Sequence, residues 1–204
     1  MPIPGHFIAI EGLDGSGGTT QVRRLAAWLE SLGRPVLCTR EPTDGPVGAL
    51  IRRSLQPADP ASVLSDAILP MLFAADRQDH LDRKVHPALA AGTTVITDRY
   101  VPSSLAYQGL AIGVQEALDL NAAFRAPDLT VVLDVPPTEC MRRILARGGP
   151  PERFEDTERL AAIRACYDAG LALLGERGDR ILRVDGTQPV EAVAAAIRDA
   201  VTTL

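Results

Sequence analysis

Two hydrophobic periods alternate along this chain. Short, largely apolar runs at residues 7–11, 35–39, 94–97, 129–135 and 181–184 have the length of buried strands rather than helices. Between them the apolar residues recur every three or four positions. Val22, Leu25, Ala26, Trp28, Leu29 and Leu32 form one such stripe, stopped at Gly33. The same spacing predicts a short helix over 47–55 and a long one opened by Ser62. That long helix contains Leu64, Ile68, Leu72, Phe73 and Leu81 and reaches Gly92, with Pro70 expected to kink it or lie near a break and Pro87 a second interruption. Helical patches follow over 103–110 and 114–124, then a helix over 139–147 capped by Thr138. One more runs from about 156 to 175, and Pro189 opens a last one over 190–201. Prolines and glycines mark 40–46, 56–60 and 148–151 as loops.

Strands alternating with helices predict an α/β fold in three layers, a five-stranded, mostly parallel sheet with helices on both faces. Right-handed crossovers then place ligands at the carboxyl ends of the strands. Residues 11–18, Arg40-Glu41 and Asp98-Arg99 all fall at such ends, so three polar motifs are expected to converge.

Composition narrows the picture. The 204 residues predict one domain, with a core built from Ala, Leu, Val and Ile because aromatics make up only 4%. A net charge of −5 argues against nucleic acid or an anionic membrane as the main partner. The basic residues are 20 arginines and the single Lys84, so any phosphate site must rest on guanidinium groups. Cys38, Cys140 and Cys166 lie far apart in no metal-like spacing, as expected of reduced thiols. With no apolar run of membrane-spanning length and no signal-like start, the expectation is a cytoplasmic protein.

The richest chemistry lies between Gly12 and Thr20. Gly12, Gly15, Gly17 and Gly18 follow a buried strand and precede a helix, the layout of a loop whose backbone N–H groups cradle phosphates. Ser16 and Thr20 are placed to help hold the phosphates, and Thr19 to ligate Mg²⁺. The pattern G-x-x-x-x-G-K-[ST] is met except at Gly18, where lysine is expected. Asp98, ending a strand, can hold a Mg²⁺-bound water, and Arg99 can bind a phosphate; otherwise the two read as a surface ion pair. Phe73 and Arg77 share a helix face and can sandwich a nucleobase, against the plainer reading of a core ring and a solvated charge. Ser103, Ser104, Tyr107 and Gln108 can line a polar pocket. Arg142, Arg143, Arg147 and Arg153 surround a Gly-Gly-Pro-Pro loop and suit either a lid over phosphates or a solvated helix face. His6, His80 and His86 carry no assigned role.

Together these motifs resemble the thymidylate kinase family. The matching stretches are 7–21, Thr39-Arg40-Glu41-Pro42, Leu72-Phe73-Ala74-Ala75-Asp76-Arg77, 98–109 (DRYVPSSLAYQG), 132–137, Arg153-Phe154-Glu155 and Asp185-Gly186-Thr187-Gln188. The resemblance implies phosphoryl transfer from ATP to dTMP with Mg²⁺, by a homodimer of single P-loop kinase domains spanning 1–204 with a lid at about 147–155. It places Asp14 at the sugar hydroxyl, Phe73 on thymine, and Arg77 and Ser104 at the base edge. Arg40, Glu41, Arg99 and Ser103 fall around the acceptor, and Tyr107 and Gln108 complete the nucleoside pocket. Arg143, Thr187 and Gln188 fall beside adenine. Ser16 inside the loop, with Arg147 and Arg153 in the lid, makes this the lid-arginine type, in which such an arginine contributes ~10³–10⁵ in rate. The departures are Gly18, Pro102 and Glu152. Losing the loop lysine costs on the scale of ~2.7–4 kcal/mol, and Lys84, ~10 Å beyond Arg77 along a helix, is badly placed to replace it. A nucleotide-binding protein with weak or no catalysis, or a kinase for another nucleoside monophosphate, are the alternatives.

Overall fold

The computed structural model describes residues 5–55, 64–148 and 156–204. Its strands are β1 (Phe7–Gly12), β2 (Val36–Arg40), β3 (Thr94–Asp98), β4 (Leu129–Asp134) and β5 (Ile181–Asp185), paired in the order β2-β3-β1-β4-β5. Every pairing is parallel, so the sheet is more regular than the sequence reading required. The helices are α1 (Gly18–Ser31), α2 (Pro46–Leu55), α3 (Leu69–His80), α4 (His86–Ala90), α5 (Val101–Tyr107) and α6 (Gly109–Ile112). They continue with α7 (Val114–Asn121), α8 (Pro137–Arg147), α9 (Thr157–Glu176) and α10 (Val190–Val201). No helix among the described residues is long and apolar enough to cross a membrane.

β1 is central, and all six of its residues are buried. Side chains alternate across a strand, so Ile8 and Ile10 pack with Val22, Leu25 and Leu29 of α1 and Ile197 of α10. Phe7 and Ala9 pack on the other face with Tyr100, Leu105 and Ala117. The sheet is thus a sandwich filling, which explains its near-continuous apolar strands.

Register carries the fold's functional consequence. Ile10 is paired with Asp98, and Asp98 with Arg40. The backbone then extends that alignment by one step: Arg99 N–H donates to Ile10 O at 2.9 Å and Glu41 N–H to Asp98 O at 3.1 Å. Three polar motifs therefore leave the sheet at one level. The chain visits β2 and β3 on one side of β1, then β4 and β5 on the other, so this edge is the switch point where a crevice opens.

Three sequence expectations need correction. The long helix begins at Leu69, not Ser62, which lies outside the described residues, as do 56–60. Pro70 sits in its first turn, where a missing N–H is harmless and the fixed φ suits helix entry, so it starts α3 rather than kinking it. Leu64 instead donates its N–H to Ser54 Oγ at 2.8 Å. Before Pro87 the helix widens into a π turn, Leu81–Val85, in which the His86 N–H reaches Leu81 O. Thr138 does not cap α8; Pro136 holds the cap position and Pro137 opens the helix. Asp156 does cap α9, accepting from the Arg159 N–H at 2.8 Å.

Candidate active site

The glycine loop turns directly off β1. Gly15 has φ +83°, and a Cβ there would lie 2.6 Å from the Cys140 carbonyl, so only glycine lets the loop press against α8. Gly17, at φ +102°, is the left-handed residue that launches α1. The Thr20 and Gln21 N–H groups bond the Gly17 carbonyl, while Gly18 and Thr19 lie in the first turn of α1, where backbone N–H groups have no partner within the helix. The loop lines a cleft of about 620 Å³ whose walls include Arg40, Arg52, Arg99, Arg143 and Arg147. Negative ligands fit such a cleft: donors below, guanidinium groups around.

Thr19 and Asp98 meet in this cleft, with Thr19 Oγ1 donating to Asp98 Oδ2 at 2.6 Å. Two hard oxygen donors fit Mg²⁺, which takes few protein ligands and completes its shell from phosphates and water. Gly18 is part of the same corner. A Cβ at this position would stand 3.0 Å from Asp98 Oδ1, so a longer residue would crowd the carboxylate that Thr19 holds.

Arg99 is the pivot between phosphate loop and helix α5. Among the described residues it is the non-glycine residue with positive φ, +74°, a left-handed turn that aims its side chain back across the loop. Its guanidinium donates to Asp14 Oδ1 at 2.6 Å, Ser103 Oγ at 3.0 Å and the Gly12 carbonyl at 3.1 Å, and lies 5.0 Å over the Tyr107 ring. The Tyr107 hydroxyl donates to Asp14 Oδ2 at 2.8 Å and accepts from the Asp14 N–H at 3.2 Å. Burial pushes the Tyr107 phenol far up, which keeps it a donor to that carboxylate.

Beyond Arg99 a second, smaller cleft of about 110 Å³ opens, lined by Phe73, Arg77, Ser103, Ser104, Tyr107 and Gln108 as well as Asp14 and Glu41. All the residues singled out as a nucleoside pocket except Arg40 therefore converge here. Arg77 is no solvated charge: it is 1% exposed. Its Nε and Nη2 donate to Glu41 Oε2 at 2.9 and 2.7 Å, Nη2 also to Ser104 Oγ at 3.0 Å, and Nη1 to Asn121 Oδ1. The guanidinium also lies 4.9 Å from the centre of the Tyr100 ring. Gln108, which lines this cleft, has its Oε1 buried without a hydrogen-bond partner.

The remaining predicted residues are placed as follows. Arg40 lines the large cleft while donating to Asp44 at 2.7 Å. Arg143 donates to Glu139 at 2.7 Å, the Ser16 carbonyl at 3.3 Å and the Gly186 carbonyl at 3.1 Å, so it ties the loop to the turn after β5. Thr187 and Gln188, on that turn, both donate to Asp185 and stand outside the two clefts. Arg147 ends α8 and lines the large cleft. Arg153 and Glu152 lie outside the described residues. Lys84 is exposed on the π turn and lines neither cleft.

Sequence reasoning missed four contributors. Glu11 is 1% exposed and accepts from the Tyr100 N–H at 2.7 Å and Ser103 Oγ at 2.6 Å, pinning the start of α5 to β1. The Tyr167 hydroxyl of α9 lies 2.9 Å from Glu11 Oε2 and 3.1 Å from the Gly12 carbonyl. Burial raises the Glu11 pKa against the opposing pull of Ser103, Arg99 and Tyr167. Arg52 lines the cleft and donates to the Pro42 carbonyl at 3.0 Å. His80, left without a role, is 1% exposed and touches Glu41. An acid ending an apolar run was a usable signal for Glu11; Tyr167 had none, being 156 residues from its partner.

A helix-initiating glycine loop at the switch point of a 2-3-1-4-5 sheet, opening on arginines and a small adjoining cleft, is the fold of a P-loop kinase. The family model described as thymidylate kinase matches residues 10–197. The thymidylate kinase of Dinoroseobacter shibae is 43% identical over 203 residues, covering 97% of this chain and 96% of that one. That of Ruegeria pomeroyi is 40% identical over 205 residues, covering 98% and 95%, and that of Xanthomonas oryzae pv. oryzae 44% over 173, covering 84% and 74%. The chain belongs to the thymidylate kinase family.

Proposed function

We propose that this protein transfers the γ-phosphoryl group of ATP to dTMP, giving dTDP and ADP. The observation that carries this reading is the Asp14–Arg99–Tyr107 cluster, which joins an arginine-lined phosphate cleft to the smaller one lined by Phe73 and Arg77. Its geometry suits an acceptor whose phosphate points at the glycine loop and whose base lies between Phe73 and Arg77. Arg99 holds the acceptor phosphate, Asp14 takes the sugar hydroxyl, and the Tyr107 ring leaves no room for a ribose 2′-hydroxyl. Arg143 lies along adenine.

Thr19 and Asp98 would hold Mg²⁺, which when bound would supply positive charge to the phosphates of the donor. Because phosphoryl transfer depends on positioning and positive charge, the absent loop lysine must be answered by arginine. Arg147, on the cleft wall, is the residue proposed for that work, with Arg153 joining it from a lid at about 147–155. The whole chain, 1–204, is read as one kinase domain, active as a cytoplasmic homodimer; exposed Ile68 and Met71 on and beside α3 support a self-association face.

A coupled ADP-release assay with dTMP and Mg²⁺-ATP tests the reading. Turnover that vanishes with EDTA and requires dTMP supports it; no turnover above background in protein that binds dTMP by calorimetry overturns it. Gly18 favours a second reading, a nucleotide-binding protein without useful catalysis, which that last result would establish.

A further inference from the structure

We propose that His80 is a positioning residue for base recognition, acting through Glu41 on the Arg77 guanidinium. The inference rests on the reading above, in which Arg77 faces the edge of the acceptor's base.

The hydrogen-bond pattern around Glu41 is lopsided. Arg77 and a carboxylate commonly pair through two parallel bonds, one to each oxygen. Here both Arg77 Nε and Nη2 converge on Oε2, at 2.9 and 2.7 Å. Oε1 is claimed instead by His80 Nδ1 at 3.0 Å. A carboxylate only accepts, so Nδ1 carries the proton. The other ring nitrogen, Nε2, lies 2.7 Å from Thr39 Oγ1 on β2, which fixes the ring against rotation.

Holding Oε1 away has a geometric result. Turned off the two-bond arrangement, the guanidinium directs Nη2 to Ser104 as well and Nη1 to Asn121. Asn121 is itself oriented by its bond to the Ala117 carbonyl at 2.7 Å. Four of the five Arg77 N–H groups are then committed, one remaining on Nη1. Without His80 the carboxylate is free to swing and accept from Arg77 through both oxygens, pulling the guanidinium round and away from Ser104. His80 touches neither cleft, so its influence on the acceptor runs through this chain of contacts.

The test is steady-state kinetics of the full chain on three variants, with thermal melts alongside. His80→Asn keeps a donor where Nδ1 stands; His80→Gln places one nearer Nε2; His80→Leu removes both. For loss of one buried hydrogen bond, the dTMP KM should rise about tenfold in His80→Gln and His80→Leu and stay within about threefold in His80→Asn. The kcat and the ATP KM should stay within about twofold in all three, since the phosphate side is untouched. Thr39→Val, which frees the ring, should raise the dTMP KM in the same direction. If His80→Leu does not fold, the Asn and Gln pair carries the comparison. An unchanged dTMP KM with only a lowered melting temperature, or dTMP and ATP KM rising together, overturns the inference. A wild-type chain with no dTMP turnover overturns the functional reading instead. The same variants are then compared by calorimetric dTMP Kd, and equal values overturn the role of His80.

Discussion

The carboxylate of Asp14 and the guanidinium of Arg99 meet at 2.6 Å where the two clefts join, although they lie 85 residues apart in the chain. Asp14 belongs to the glycine loop and Arg99 to the turn after β3, so this contact fixes the distance between donor and acceptor sides. Asp14→Asn removes the charge and one acceptor while preserving shape. The kcat/KM for dTMP should fall by about 10²-fold, the scale of one lost electrostatic contact at a reacting phosphate. Calorimetric affinity for ATP should change far less.

A lysine at position 18, where the G-x-x-x-x-G-K-[ST] pattern has one, should not raise the rate here. A Cβ on residue 18 stands 3.0 Å from Asp98 Oδ1, and Asp98 is held by Thr19. Gly18→Lys should therefore shift that carboxylate by a few tenths of an ångström and leave kcat within about threefold of the parent or lower it, offsetting any gain from the new charge. Gly18→Ala, which brings the crowding without the charge, separates the two effects. A tenfold or larger rise in kcat for Gly18→Lys would mean the parent site is crippled rather than arginine-based.

Arg147 is assigned the compensating charge. Arg147→Ala should lower kcat by about 10²-fold or more while the dTMP KM stays within about threefold, because the charge acts on the transferring phosphoryl group. Arg147→Lys should recover only part of this, since a point charge does not reproduce a planar fork. Rapid-quench single turnovers locate the loss in the chemical step.

Glu11 gives the fold a pH signature. Burial raises its pKa in the folded protein above the ordinary 4.5, so the folded state holds the proton more tightly than the unfolded chain. Its contribution to stability is complete below about 4.5 and is lost as pH rises through the raised folded value. Glu11→Gln removes that term. The melting temperature of Glu11→Gln minus that of the parent should therefore climb with pH across this window and level off above it. A difference that is flat with pH, by calorimetry from acid to neutral, would refute the assignment.

Much of this molecule was readable in order along the chain. Strand lengths, the α1 stripe and the start of α10 at Pro189 followed from local periodicity, because a buried strand and a half-buried helix impose different spacings. The glycine loop was legible too, since Gly15 and Gly17 are demanded by positive φ and close approach rather than by distant partners. Where short-range rules competed, tertiary contacts decided. Pro70 opens α3 instead of bending it, and Pro136 rather than Thr138 stands at the head of α8.

The sequence alone therefore determined the sheet, the phosphate loop and many, though not all, of the polar residues around it. It could not determine which of those residues share a proton or an ion pair. Glu11 with Tyr167, and Glu41 with both His80 and Arg77, are bonds between side chains 156, 39 and 36 positions apart. No local pattern encodes such pairs; they exist because parallel register brings the ends of β1, β2 and β3 to one level and the helices behind them close the gaps. Burial then leaves each polar group little choice but its neighbour, since an unpaired one would be too costly inside the protein.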